Sequence, residues 1–226
     1  MKKIFVILLF TMSLGINAQL IRPFIGGSLY LQWDFEKSKY AGVNAGAEFK
    51  IAPYFMPEAE CSYYFGSIED ASRYNSELVE TSLYIRSVSA LNFSFCPKIC
   101  LGNKNDGTNY VVILPRYTLS KISAEGSFSK YNESDNTVVT DESQTDIQHS
   151  LGLGIGINVF LSSETSSSLC LILYYNGVNM GKVINELGHS SGYEFNSNGV
   201  LGAGFNYYFG KRTIKKPKAL KKPEPL

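Results

Sequence analysis

The chain has 226 residues with 20 Gly, 15 Tyr and 14 Phe, only 18% charged residues, and a formal net charge of +1. That balance hides an asymmetry: residues 211–226 hold seven Lys/Arg against one Glu, while between the N-terminal leader and this tail 12 basic residues face 19 acidic ones. An acidic body with a basic tail excludes the continuous positive surface of a nucleic-acid binder, and no apolar stretch after the leader nears the ~20 residues a membrane helix needs.

The chain opens with MKKIFVILLFTMSLGINA, residues 1–18. Lys2 and Lys3, the apolar run Ile4 to Leu14 and a closing Ala18 make a secretory signal peptide, too short to anchor in a bilayer, with cleavage expected after Ala18. No cysteine follows the cleavage point, so a lipid anchor is not expected. Cys61, Cys96, Cys100 and Cys170 therefore enter an oxidising space. Cys96 and Cys100 lie about 13 Å apart on an extended strand and cannot bond to each other. They read as small buried thiols, with a cross-barrel disulfide through Cys170 as the alternative. A C-x-x-x-C spacing without a nearby His is no zinc pattern, and neither metal nor cofactor is expected.

Alternation of period two predicts eight strands: 22–35, 40–52, 54–66, 82–101, 109–126, 146–161, 167–182 and 194–209. No helical period lasts ten residues after the leader. The connections at 52–54, 102–109 and 162–167 are tight. Those at 67–81, 127–145 and 183–193 are longer and polar, with 36–39 a short exception at the same end. Short turns at one end and long loops at the other are the layout of an outer-membrane barrel. Pro57, Pro97 and Pro115 fall in or near strands, where a closed barrel has no edge to hold them, so bulges are expected there.

The two faces of each strand differ sharply. Leu151, Leu153, Ile155, Ile157, Val159 and Leu161 share one side of the sixth strand, opposite Ser150, Gly152, Gly154, Gly156 and Asn158. Leu201, Ala203, Phe205, Tyr207 and Phe209 likewise oppose Gly202, Gly204, Asn206 and Tyr208 in the last. A soluble sheet would carry charge opposite its core face, not glycine, Asn and Tyr. Lipid outside and a narrow polar lumen inside explain both faces. Residues 19–210 therefore form an all-β domain, an eight-stranded antiparallel up-and-down transmembrane β-barrel, followed by a disordered basic, proline-rich tail over 211–226.

By the same parity the lumen collects Glu48, Glu58 and Glu60 with Arg86 and Arg116, joined by Lys50. This is expected to be a structural ion-pair network, since eight strands leave little room for a general pore. GHSSG (188–192) matches the G-x-S-x-G nucleophile pattern with Ser190, but it lacks the strand–turn–helix setting that motif requires. His189 and Ser191, with Glu186 or Glu194 orienting the imidazole, form the remaining catalytic idea. His149 is expected near the outer end of the sixth strand. Glu133, Asp135, Asp141, Glu142 and Asp146 do not match a calcium loop and read as a solvated acidic loop.

RPFIGGSLYLQW (22–33), TSLYIRSVSALNFSF (81–95) and GVLGAGFNYYF (199–209), after a leader ending NAQ (17–19), resemble the PorT-like small outer-membrane β-barrel domains common in Bacteroidetes. The resemblance covers nearly the whole mature chain and departs in two places. Ile85-Arg86 stands where many relatives have Ile-Pro, and the chain continues past Phe209, where the usual barrel ends. It implies location in the outer membrane more than activity. It also implies that Phe205, Tyr207 and Phe209 form a C-terminal strand signal for the barrel-insertion machinery.

The expected function is thus that of a non-enzymatic outer-membrane barrel with a closed polar lumen, acting structurally or by interaction through its outward loops or periplasmic tail. Its expected partners are outer-membrane lipid, the insertion machinery and, through the tail, cell wall or anionic headgroups; nucleic acid is not among them. Two alternatives remain: a soluble exported barrel holding an apolar ligand inside, and an outer-membrane lipid hydrolase using His189 and Ser191.

Overall fold

The computed structural model describes residues 21–32, 39–102, 109–131, 137–161, 167–188 and 194–210. The leader and the tail lie outside them. The strands are β1 (Ile21–Leu31), β2 (Lys39–Phe49), β3 (Glu58–Tyr74), β4 (Glu80–Cys96), β5 (Ile99–Leu101), β6 (Tyr110–Tyr131), β7 (Thr137–Phe160), β8 (Ser168–Asn176) and β9 (Val200–Tyr208), with one helix, α1 (Met180–Asn185). All pairings are antiparallel: β1 to β4 pair in sequence order, as do β5 to β9, while β1 also pairs with β9 and β4 with β6. The ring is closed and has eight positions, because β5 carries on along β6 where β4 stops.

The break between β4 and β5 accounts for two of the prolines. Pro97 sits in it, and Pro115 lies on β6 between the last β4 partner, Phe95 opposite Tyr117, and the first β5 partner, Ile99 opposite Ile113. Proline has no N–H to offer a ladder, and here the ladder is interrupted. Pro57 precedes β3 in the turn, where its carbonyl accepts from the Phe49 N–H at 2.8 Å. That turn folds under the barrel: Met56 N–H donates to the Lys98 carbonyl at 3.0 Å and Cys100 N–H to the Tyr54 carbonyl at 2.9 Å.

Several boundaries differ from the sequence reading: the third strand begins at Glu58 rather than 54, the last at Val200 rather than 194, and the fourth is broken between Cys96 and Ile99. Most of the polar stretches 67–81 and 127–145 are strand, so the β3–β4 and β6–β7 hairpins rise well above the rest of the ring. β8 ends at Asn176, not 182, and the chain turns into α1. The helix is too short to show a period. Asn179 caps it, its Oδ1 accepting from the Lys182 N–H at 3.2 Å. Val178, Met180, Val183, Ile184 and Leu187 are buried, together with Ile68, Val88, Ile122 and Ala124 from the rising hairpins. The connection between β8 and β9 therefore packs as an apolar stopper in the outer mouth.

Inside, alternation puts Phe24, Tyr30, Tyr64, Tyr174 and Tyr208 in the lumen. The glycines opposite them supply the space. A Cβ at Gly46 would lie 2.6 Å from Phe24 Cζ, and one at Gly202 2.8 Å from Tyr30 Cε1 and 2.6 Å from the Leu29 carbonyl. Gly202→Val is expected to destabilise the barrel by about 1–3 kcal/mol, as overpacking of a filled interior does; urea unfolding in detergent, followed by gel migration, measures it.

The apolar rows point outward around the ring. Leu29, Leu151 and Leu173 are 66%, 73% and 69% exposed, while the glycine, Asn and Tyr rows face in. This overturns the alternative of a soluble barrel with greasy faces lining a ligand cavity: the interior is already filled by polar and aromatic side chains.

Candidate functional site

The lower part of the lumen holds its charges in two balanced layers. At the base, Lys98 Nζ donates to Glu48 Oε2 at 2.6 Å and to Glu58 Oε1 at 2.7 Å. Arg22 Nη2 lies 2.8 Å from Glu48 Oε1, and the Tyr208 hydroxyl donates to Glu58 Oε1 at 2.7 Å. The Tyr208 ring faces both cations, 4.1 Å from Lys98 Nζ and 4.7 Å from Arg22 Cζ. Two carboxylates and two cations close this layer, and Lys98 and Glu58 are wholly inaccessible.

One layer up, Arg116 pairs with Glu60, Nη2 donating to Oε2 at 3.1 Å and Nη1 lying 3.0 Å from Oε1. The guanidinium lies 4.8 Å from the Tyr174 ring centre and donates from Nη1 to the Tyr64 hydroxyl at 3.3 Å. Asn44 Nδ2 donates to Glu60 Oε2 at 3.1 Å and to Asn206 Oδ1 at 2.9 Å, carrying the network across the lumen to β9. Above both layers, Arg86 stacks over Tyr84 at 5.0 Å and Phe195 at 4.8 Å, under the stopper.

Of the residues singled out from sequence, Glu48, Glu58, Glu60, Arg86 and Arg116 are buried inside the ring, whereas Lys50 lies past the end of β2 and is half-buried. Sequence reasoning missed Lys98 and Arg22. Both continue inward-facing even-numbered rows, Asn92–Ser94–Cys96–Lys98–Cys100 on β4–β5 and Arg22–Phe24–Gly26 on β1. All four thiols are free, Cys61 outside and Cys96, Cys100 and Cys170 buried. Among the described residues no three His, Cys, Asp or Glu side chains gather as metal ligands would. His189, Ser190 and Ser191 lie outside the described residues, as do Glu133 and Asp135.

The outer wall is zoned by height. On β6 the outward positions run Val111, Ile113, Pro115, Tyr117 and Leu119, then change to Lys121, Ser123, Glu125 and Ser127. The apolar zone is about nine residues tall, the span of a tilted membrane strand. Tyr63, Phe65, Tyr117 and Tyr175 mark its upper rim. Tyr54, Tyr207 and Phe209 mark the lower, the last two rings touching edge to face at 4.9 Å. Phe205, like Phe209, is exposed on the outside. Asp141, Glu142 and Asp146 stand on β7 above the zone, not in a loop. Lys182 Nζ reaches Asp146 Oδ2 at 2.8 Å, and Glu142 Oε2 accepts from the Gly188 N–H at 2.6 Å, so two of these acids strap the stopper to the β7 wall.

The hydrogen bond from Lys182 holds the Asp146 carboxyl below the usual aspartate range. A lowered folded-state value means that this strap contributes above the ordinary Asp midpoint and is lost as pH falls through the lowered one. Carboxyl NMR titration is expected to show the Asp146 midpoint rising towards the ordinary value in Lys182→Ala.

No protein-family model matches the chain, nor does any curated protein. Among solved structures it is similar to Neisserial surface protein A, at 11% identity over 85% of this chain and 95% of that one, with a TM-score of 0.42. A major outer membrane protein from Thermus thermophilus is similar at 16% identity over 83% and 99%, with a TM-score of 0.43. Ail, the attachment invasion locus protein of Yersinia pestis, is similar at 12% identity over 84% and 95%, with a TM-score of 0.36. At these values no functional property carries across.

Proposed function

We propose that the chain is an integral outer-membrane barrel with a closed, ion-paired lumen, which works as a structural or interaction element through the surfaces it raises above the membrane. The observation that carries this reading is the pairing of an apolar belt around the whole ring with an interior that solvent does not enter. Water would charge the belt's neighbours and leave the lumen apolar; lipid asks for the arrangement seen. The start of β1, the end of β9 and the 50–57 turn share one rim, which belongs to the periplasm in such barrels, so the β3–β4 and β6–β7 hairpins and the stopper face outward. The resemblance to PorT-like domains supports the same placement. Phe205, Tyr207 and Phe209 then serve as the insertion signal, and the basic tail lies in the periplasm, within reach of anionic headgroups or cell wall.

Cell fractionation followed by gel migration of unboiled and boiled samples tests the reading. Recovery in the outer-membrane fraction, with faster migration before boiling, is the expected result. Recovery in the soluble periplasm with no effect of heating overturns it.

A further inference from the structure

We propose that the outer wall carries a binding site for the phosphate-bearing headgroup of a lipid, built on His149 and Lys121 at the upper rim of the apolar zone; it rests on the membrane reading above. The β6–β7 register sets Leu119 opposite His149 and Lys121 opposite Ile147. Lys121 and His149 are thus diagonal neighbours on one outward face, about 7–8 Å apart at Cα, a gap that a lysine side chain spans. Both are exposed. On the same face Leu119 lies level with His149, and Leu151 and Leu153 lie below it.

The imidazole is oriented. The Tyr117 hydroxyl lies 2.6 Å from His149 Nδ1. When that hydroxyl donates, the proton of the neutral ring resides on Nε2, an N–H donor with no partner among the described residues. Beside it a notch of about 560 Å³ opens where β7 rises past the end of β8, lined by Tyr117, His149, Leu151, Tyr175, Asn179 and Asn198. Its lining passes from aromatic and aliphatic to amide over one strand width, which suits an anionic headgroup with an acyl chain beneath it. The acids do not cancel the local charge. Asp146 is taken by Lys182, and Glu125 is four residues further up β6, about 13 Å away by strand rise. Charge-assisted hydrogen bonds from His149 and Lys121 to phosphate oxygens are the recognition, and the leucines below select a lipid over free phosphate.

The test uses the mature protein in neutral maltoside micelles with ¹⁵N-labelled histidine, the His149 resonance being assigned by its loss in His149→Gln. Dodecyl phosphate is expected to shift that resonance saturably, with about ten-fold weaker binding in Lys121→Gln, while inorganic phosphate leaves it in place. No saturable shift, or one that Lys121→Gln does not weaken, overturns the site. An equal response to inorganic phosphate overturns the lipid assignment in favour of a soluble anion. A gel of the same preparation separates the two readings. If migration is heat-dependent, a missing shift removes the site and spares the barrel; if it is not, the membrane reading falls and the site with it.

Discussion

Lys98→Ala is expected to destabilise the barrel by about 3–5 kcal/mol, the cost of stranding a buried charge by removing its partner. Glu48 and Glu58 are directly opposed across β2 and β3, and like charges facing each other in a ladder repel. Among the described residues Lys98 is the only group that bonds both. Without it, Glu48 keeps Arg22, while Glu58 keeps only the Tyr208 hydroxyl and cannot reach water. The urea midpoint of the heat-modifiable form measures the loss. If the variant fails to fold, Lys98→Met with Glu58→Gln still reads the cause. It removes the charge and its partner together, keeps an acceptor for Tyr208, and is expected to recover most of the stability, because a buried pair replaced by neutral groups of similar volume is often nearly neutral. A Lys98→Ala midpoint equal to that of the native protein, or a double variant no better than the single, would show that the base layer does not organise the fold.

The barrel is legible in the sequence because its two unlike faces write a period of two that survives every strand, from Ile25–Leu31 to Leu201–Phe209. What is not legible follows from closure. Segments 67–74 and 127–131 are rich in Ser, Tyr, Asp and Lys and look like loops by composition, yet they extend as strand because a neighbouring strand already offers its N–H and C=O groups along that length. Partners across the ladder, not local propensity, decide where a hairpin stops.

The lumen shows the same division. Glu60 and Arg116 sit within strands, each at a paired ladder position where parity is clean, and each faces inward. Lys98 has the right parity but follows Pro97, which signals a break and obscures that the inward row resumes beyond it. Lys50 has the parity of Glu48, but β2 ends before it, so alternation no longer governs where it lies. Parity orients a side chain only while a ladder holds the backbone. The stopper is hidden for a different reason: α1 has six residues, fewer than two turns, and its buried set of Met180, Gly181, Val183 and Ile184 is too brief to stand out beside the polar stretch that follows.

The sign of the outer surface is the sharpest physical question, and Leu173→Arg answers it. Leu173 lies opposite Ile155 and Ala203, midway up the apolar zone, and makes little contact with the protein itself. In water an exposed Leu→Arg change is worth within about 0.5 kcal/mol. In lipid an arginine at the midplane of a barrel costs about 2–4 kcal/mol, falling towards zero near the interfaces. Refolding into vesicles is therefore expected to be impaired by Leu173→Arg and nearly untouched by the same change at Leu201, one neighbour higher towards the rim, where the long side chain reaches the headgroups. The contrast between the two sites, read in one bilayer, is what a membrane produces and a soluble surface cannot: there both substitutions would be equally mild. Equal and small effects would remove lipid from the outside of the barrel, whatever its lumen contains.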